Sequence, residues 1–409
     1  MRSGGFRDDQ ENAGEPVSQH LRILHLRPSN FVGGPERQLL RYAELDRTGL
    51  TETILGTFVG VHEGREFLET AEEHGFQTLA LPTGSVGDYR ATFALMRFLK
   101  EREISLLCTH GYQADILGGI AGLARRVPVV CFLRGWTGED WKVRAYELAD
   151  RAFLASAKRV VCLSQTHASR LARYRLLRPK LRVVLNAVES CPLGEDQRLR
   201  LRQDVRARLG LPANCTIVAS AGRLSAEKGT IFLLHAVPEL QRQFRDARFV
   251  IFGNGRLRAQ LEEMARRLGV SVAMSFAGHV PDFPLLLPGI DLLVNPSLAE
   301  QMPNVVLEAM AAAVPVIATP VGAVKEIAGD DNTLISVPPA DAAAIAQAVR
   351  DLLLDPSLAG AIGRAGQKRV QQAFSPARQG SQLRALYEEL IPAMAPVRAA
   401  LDTNSRGGH

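Results

Sequence analysis

Short apolar runs alternate with stretches of helical period along almost the whole chain, and this alternation restricts the fold more than any other feature. From Leu21 the β-like runs are LRILHL, TETILGTFV, FQTLAL, SLLCTH, VPVVCFLR, RVVCLS and LRVVLNAV, the last reaching Val188. A polar stretch at 190–200, SCPLGEDQRLR, has no core pattern. A second series follows it: TIVASAGRL, ARFVIFGNG, VAMSFAG, DLLVNPS, VPVIATP and NTLISVP. Strands alternating with helices make βα units and a parallel sheet. With 409 residues, 46% of them hydrophobic, the chain can bury two ordinary cores. Two α/β halves are therefore expected, at 20–189 and 201–381, with the linker between them and a polar, Gly-rich disordered tail at 1–19. A helix over 382–400, from QLRALYEELIPAM, closes the chain.

The formal charge of +6 and pI near 9.2 favour anionic partners: nucleotides, phospholipid headgroups or nucleic acid. The five cysteines, at 108, 131, 162, 191 and 215, include no C-x-x-C pair and read as reduced core residues, with no metal or disulfide role. Residues 1–19 carry no secretory signal, and the most membrane-like run, Val305 to Val324, holds Glu308, Pro315 and Pro320. It reads as helix then strand, so a cytoplasmic protein with at most peripheral membrane contact is expected.

The stretch from Asn295 to Glu308, NPSLAEQMPNVVLE, carries the chemistry. It leads from the buried strand DLLV into the helical pattern VVLEAMAAA, so Glu300 and Glu308 stand where a strand hands over to a helix. In open α/β sheets that edge is where ligands bind. Pro303 suits a first helical turn, which leaves Glu300 in the loop and Glu308 in the second turn. The free N–H groups and positive dipole end of that helix suit an anion. Upstream, TIVASAGRL ends in Arg223, with Lys228 and Gly229 at a helix start, so both cations can reach one diphosphate. No Asp-x-Asp occurs in the chain, and a fixed Arg and Lys can replace a metal as the charge on a departing phosphate. Gly33 and Gly34 follow the first strand and precede a helix opened by Pro35 and Glu36, where backbone N–H groups can approach an oxyanion. This is not the Rossmann G-x-G-x-x-G, which argues against a nicotinamide site. His110 ends SLLCTH before Gly111, with its imidazole expected toward the cleft.

AGRLSAEKG and EQMPNVVLEAMA together resemble the donor site of the family-4 retaining glycosyltransferases, also called glycosyl transferases group 1, and the likeness covers about residues 21–390. It implies the GT-B fold, two Rossmann-like domains facing across a cleft, with the last helix returning to the first domain. It implies a metal-independent, cofactor-free hexosyltransferase that moves sugar from a nucleotide-diphosphate donor, UDP or GDP foremost, to a hydroxyl acceptor with retention. Polysaccharide, glycolipid or other cell-envelope glycan synthesis is the implied setting, with the acceptor lipid-linked in one version, the inner face of the cytoplasmic membrane as the place, and no nucleic acid. By the same resemblance Arg223 and Lys228 hold the leaving diphosphate, Glu300 faces the sugar with His110 near it, and Glu308 accepts from ribose hydroxyls. Gly33 and Gly34 lie over the phosphates and Gly222, Gly253 and Gly255 under the nucleotide. Val280 of GHVPDF lies against the base, and Asn304 and Val305 stand at the helix start. Arg134 and Trp136 are further neighbours.

The chain departs from the family where EGFP reads EQMP, which leaves donor-sugar identity open at Gln301 and Met302, and where Ala313 and Ala187 replace glycines. GDDNTLI also replaces a GxxG-L turn. A non-catalytic nucleotide-sugar-binding protein would keep Arg223, Lys228 and Glu308 without needing Glu300 or His110. A pyridoxal-dependent phosphorylase would need a lysine such as Lys228 or Lys325, and a GT-B epimerase is a further alternative. Between Arg151 and Val188 stand nine Arg or Lys and no acid, and the helical pattern Gly87–Glu103 mixes Phe93, Leu95, Met96, Phe98 and Leu99 with basic residues. The first reads as a solvated face and the second as core packing, with an anionic membrane surface as the alternative for both.

Overall fold

The computed structural model describes residues 21–29, 31–45, 51–60, 65–82, 89–133, 153–190, 192–329 and 332–391. All thirteen apolar runs are strands. The first seven are β1 (Leu21–Leu26), β2 (Thr51–Val59), β3 (Gln77–Pro82), β4 (Ile104–Thr109), β5 (Val129–Leu133), β6 (Arg159–Cys162) and β7 (Leu181–Val183). They form one sheet in the order β3-β2-β1-β4-β5-β6-β7. The other six are β8 (Thr216–Ala221), β9 (Ala247–Phe252), β10 (Met274–Gly278), β11 (Leu292–Asn295), β12 (Val316–Ala318) and β13 (Ile335–Ser336). Their order is β10-β9-β8-β11-β12-β13. Every pairing in both sheets is parallel.

Consecutive residues of a strand feed opposite cores. On β1, Leu24 joins Ile54, Leu95, Leu107 and Cys131 on one face, and Ile23 joins Leu39, Leu55, Leu106 and Phe132 on the other. Both faces of the central strands are dry, which is why those strands read as continuous apolar runs. Two Rossmann-like halves result, as the GT-B architecture requires. In each sheet the order reverses once, between β1 and β4 and between β8 and β11. Those reversals open a crevice at the carboxyl ends of the strands.

The boundary between the halves differs from the sequence reading. The helix Glu195–Arg208 begins inside the expected linker and belongs to the second half. Its anchor is polar: Arg206, 2% exposed, donates to the carbonyls of Cys215 and Gly289 and pairs with Asp291 at 2.5 Å. Val205 is the one buried apolar side chain on this helix, which leaves no apolar stripe for periodicity to detect.

The last helix is Pro376–Leu390, starting six residues before the expected 382. Leu383, Leu386 and Tyr387 pack into the first sheet's core with Ile23 and Phe132. Glu389 clamps it to β6 and β7 through Arg159 Nε at 2.9 Å and Arg182 Nη2 at 2.6 Å. Those hydrogen bonds, from Arg159 first and Arg182 next, bring its carboxyl down to about 2.

Other expectations resolve locally. Ala313 keeps the left-handed backbone of the glycine it replaces, with φ 55°, whereas Ala187 is not among the positive-φ residues. Cys108, Cys131, Cys162 and Cys215 are buried and form no disulfide with one another, and Cys191 lies outside the described residues. The helix Tyr89–Glu101 buries Leu95 and Leu99 in the core, but Tyr89 and Phe93 are exposed and meet edge to face. Among the described residues no helix is long and apolar enough to cross a membrane.

Candidate active site

The two reversals of strand order meet. The loop after β1 carries Gly33 and Gly34, and the helix Gly34–Leu45 begins there. Gly34 abuts Asn304 so closely that a Cβ would lie 2.9 Å from Asn304 Nδ2. Asn304 Oδ1 in turn accepts from Asn186 Nδ2 at 2.7 Å. One turn along each helix, Arg37 Nη2 reaches Glu308 Oε1 at 3.1 Å. Phe31 and His279 add an edge-to-face contact beside them. The cleft is therefore lined by the carboxyl ends of β1 and β4 on one side and of β8 and β11 on the other.

In the second half, backbone packs directly on backbone. Gly253, at φ 123°, follows β9, and a Cβ there would sit 1.9 Å from the Gly222 carbonyl oxygen. Gly255 is pressed against Leu224 in the same way. The turns after β8 and β9 are thus stacked, which leaves Gly222 and Arg223 at the surface of the cleft. A short 3-10 turn, Ala226–Lys228, and Gly229 at φ 60° lead into the helix Thr230–Gln243. A Cβ on Gly229 would be 2.1 Å from the Pro296 carbonyl oxygen. Leu298 N–H donates to the Glu227 carbonyl at 2.7 Å, which ties the Arg223–Lys228 segment to the Glu300 loop.

Those contacts bring the two charged motifs together. Lys228 Nζ lies 2.6 Å from Glu300 Oε1, and the Glu300 side chain is only 8% exposed. Ser297 Oγ is 2.8 Å from the same oxygen and 3.1 Å from Asn295 Oδ1. Thr319 hydrogen-bonds the Ser297 carbonyl, and Gly322 at φ 57° leaves room for the Glu300 carbonyl. Burial pushes the Glu227 carboxyl up, but the Ser225 hydroxyl, its own backbone and the charges of Arg223 and Lys228 bring it below the usual range. A small recess at the ends of β8, β9 and β11 is lined by Ser220, Gly222, Lys228, Thr230, Phe252 and Asn295.

The helix Asn304–Ala311 starts one residue after Pro303, which is its N-cap. Asn304 and Val305 are its first two residues, so their N–H groups have no partner within the helix. Glu308 falls in the second turn, and Glu300 in the loop. Val280 is half-buried against the second core.

Three expected residues sit differently. Gly33 N–H is already taken, donating to Glu36 Oε2 at 3.0 Å. Burial pushes the Glu36 carboxyl up, but the charge and hydrogen bonds of Arg27, 2.5 Å away, hold it below the ordinary range. His110 is fully buried rather than open to the cleft: its Nε2 is 3.0 Å from His25 Nδ1 and its ring stacks on Phe132. His25 Nε2 in turn meets the Tyr387 hydroxyl at 3.2 Å. Met302 turns into the core, with its sulfur 3.4 Å from Asn186 N, which leaves Gln301 as the departure at the cleft. Arg134 and Trp136 lie outside the described residues.

Sequence reasoning missed Arg37, Asn295, Ser297, Thr319 and Gly322. A polar residue closing an apolar strand was a usable signal for Asn295. Nothing local marks Arg37, whose partner is 271 positions away.

Comparison with known proteins matches the same two halves. The family model "Glycosyl transferase 4-like domain" covers residues 33–187 and "Glycosyl transferases group 1" covers 202–369. The alpha-D-kanosaminyltransferase of Streptomyces kanamyceticus is 33% identical over 191 residues, 46% of this chain and 49% of the relative. The putative teichuronic acid biosynthesis glycosyltransferase TuaC of Bacillus subtilis is 28% identical over 64% of each chain. The chain thus spans about half the length of the first of these and under two thirds of the second. Among solved structures, Anabaena HepE in complex with UDP-glucose superposes with a TM-score of 0.78 at 20% identity, covering 90% of this chain and all of that one. WaaG, a glycosyltransferase involved in lipopolysaccharide biosynthesis, gives 0.69 at 17% identity, covering 88% of this chain and 98% of that one.

Proposed function

The chain belongs, half by half, to the glycosyl transferase 4-like and glycosyl transferases group 1 families, and from that premise we propose a retaining, metal-independent hexosyltransferase. Its donor is a nucleotide-diphosphate sugar and its acceptor a hydroxyl of a cell-envelope glycan or glycolipid. The observation that carries this reading is the Lys228–Glu300 pair, which joins the two motifs beside Gly222 where the second sheet's strand order reverses. A diphosphate at Gly222 draws Lys228 and Arg223 to its oxygens and leaves Glu300 facing the sugar.

The reaction then needs no enzyme nucleophile. The bond from the anomeric carbon to the phosphate oxygen breaks as the bond to the acceptor oxygen forms on the same face. The acceptor's proton passes to the leaving phosphate oxygen, and Arg223 and Lys228 stabilise the negative charge that remains. Glu308 exchanges Arg37 for the ribose hydroxyls, to which a carboxylate offers two acceptor oxygens. Because HepE was crystallised with UDP-glucose, uridine is the first base to try.

A thermal-shift panel of UDP, GDP, ADP, dTDP and their sugars, run in excess chelator, tests both the donor and the absence of a metal. One nucleotide should stand out, stabilising by about 2.7 kcal/mol at about a hundred times its Kd. No stabilisation by any of them overturns the reading, and stabilisation or turnover that returns only with a divalent ion overturns its metal-independent part.

A lipid-linked acceptor would be met at a membrane surface. The exposed Tyr89–Phe93 pair, on a helix that also carries Arg90, Arg97 and Lys100, is the apolar and basic face for that contact. Sedimentation with anionic vesicles should be weak and lost at high salt, because charge attraction is screened within a Debye length. Equal binding to neutral vesicles would remove the electrostatic account.

A further inference from the structure

Asn295, Ser297, Glu300 and Lys228 form a line of contacts of 3.1, 2.8 and 2.6 Å. Asn295 closes β11 and is 4% exposed, and Ser297 is fully buried. The Ser297 hydroxyl has one proton and two neighbours that, as placed, both call for it: Asn295 Oδ1 and Glu300 Oε1. A carboxylate can only accept, is charged and is the nearer of the two, so the proton goes to Glu300. Ser297 Oγ must then accept from Asn295, and only the amide nitrogen of that side chain can donate. The two ends of a carboxamide have nearly the same shape, so the network decides which end faces Ser297. The reverse orientation also buries Asn295 Nδ2 without any hydrogen-bond partner.

We propose that Asn295 is a positioning residue that donates to Ser297, which donates to Glu300, so that the relay fixes the carboxylate assigned to the donor sugar. This rests on the reading of Glu300 given under the proposed function. Both Ser297 and Lys228 occupy Glu300 Oε1, which leaves Oε2 for a sugar hydroxyl. The relay therefore governs recognition of the sugar and leaves the nucleotide alone. Asn295 also lines the recess beside Gly222 and Lys228, so the line is anchored in the floor of the site.

Asn295→Asp is the deciding variant, because it keeps the shape and removes the donor. An ionised Asp competes with Glu300 for the single Ser297 proton and adds a second negative charge beside it, which weakens the hydrogen bond that fixes Glu300. In the full-length protein, kcat/KM for the sugar nucleotide should fall roughly tenfold or more, since small misplacements of a positioned group are costly. The Kd of the bare nucleotide diphosphate, by calorimetry, should stay within about twofold, a split that a merely structural role would not produce. Ser297→Ala should give the same selective loss, and it carries the test if Asn295→Asp does not fold. Ser297→Thr, which keeps the hydroxyl, should recover most of it. Wild-type kinetics in Asn295→Asp, or equal weakening of nucleotide and sugar nucleotide in both variants, overturns the relay while leaving the function standing. Failure of the wild type to bind any nucleotide diphosphate overturns the function, and the relay with it.

Discussion

Lys228→Ala and Arg223→Ala should each lower the rate of sugar transfer by about a hundredfold, the usual effect of removing one preorganised charge from a developing anion. Binding of the bare nucleotide diphosphate should weaken far less. The reason lies in when the charge appears: the phosphate oxygen gains most of its negative charge as the glycosidic bond breaks, so the cations act mainly on the transition state. Lys228 is placed for this by the 3-10 turn and by Gly229, and it is held ready by Glu300 at 2.6 Å. Lys228→Ala also leaves Glu300 buried without its cation, so the unfolding midpoint is measured alongside turnover. Lys228→Arg keeps the charge but not the reach, and should recover only part of the rate. A variant in which nucleotide affinity and turnover fall by the same factor would mean that Lys228 binds the ground state only, and the charge-stabilising role would have to be abandoned.

Most of this architecture was legible because it depends on local pattern. Central strands such as β5, β11 and β12 are buried on both faces and read as continuous apolar runs, and all thirteen runs read from the sequence are strands in two parallel sheets. The placement of the two charged motifs was legible for a related reason: Arg223, Lys228, Glu300 and Glu308 stand at strand ends and helix starts, which the pattern already located. What was hidden depends on distant backbone or on a single polar anchor. Arg206 holds its helix to Asp291 and to two carbonyls, with no hydrophobic stripe to announce it. Gly33 has the sequence setting of a phosphate-facing glycine, yet its N–H donates to Glu36. Met302 stands in a motif position expected to bend around the sugar, yet its length and flexibility let it fill the core instead. His110 was expected at the cleft, and only the pairing of β1 with β4 brings His25 beside it.

Glu300 and Glu308 are eight residues apart, and their separate surroundings predict opposite phenotypes. Glu308 is held by Arg37 from the other half at 3.1 Å, and Glu300 by Lys228 and Ser297 from its own. Ribose contacts are the same with and without the sugar, so Glu308→Ala should weaken bare nucleotide and sugar nucleotide alike. Hydrogen bonds to a charged group contribute about 1.5–3 kcal/mol. The ribose must first displace Arg37, which is about a third exposed, and pairs of that kind contribute about 0.2–1 kcal/mol. The difference is about 1–2 kcal/mol, or roughly tenfold in Kd. Glu300→Ala should leave bare nucleotide diphosphate bound as in the wild type and raise the constant for the sugar-bearing donor alone. Titration calorimetry with nucleotide and steady-state transfer, run on both variants, separate the two carboxylates. If Glu300→Ala weakened bare nucleotide as much as Glu308→Ala, the carboxylate beside Lys228 would be a nucleotide ligand, and the sugar would have to lie elsewhere in the cleft.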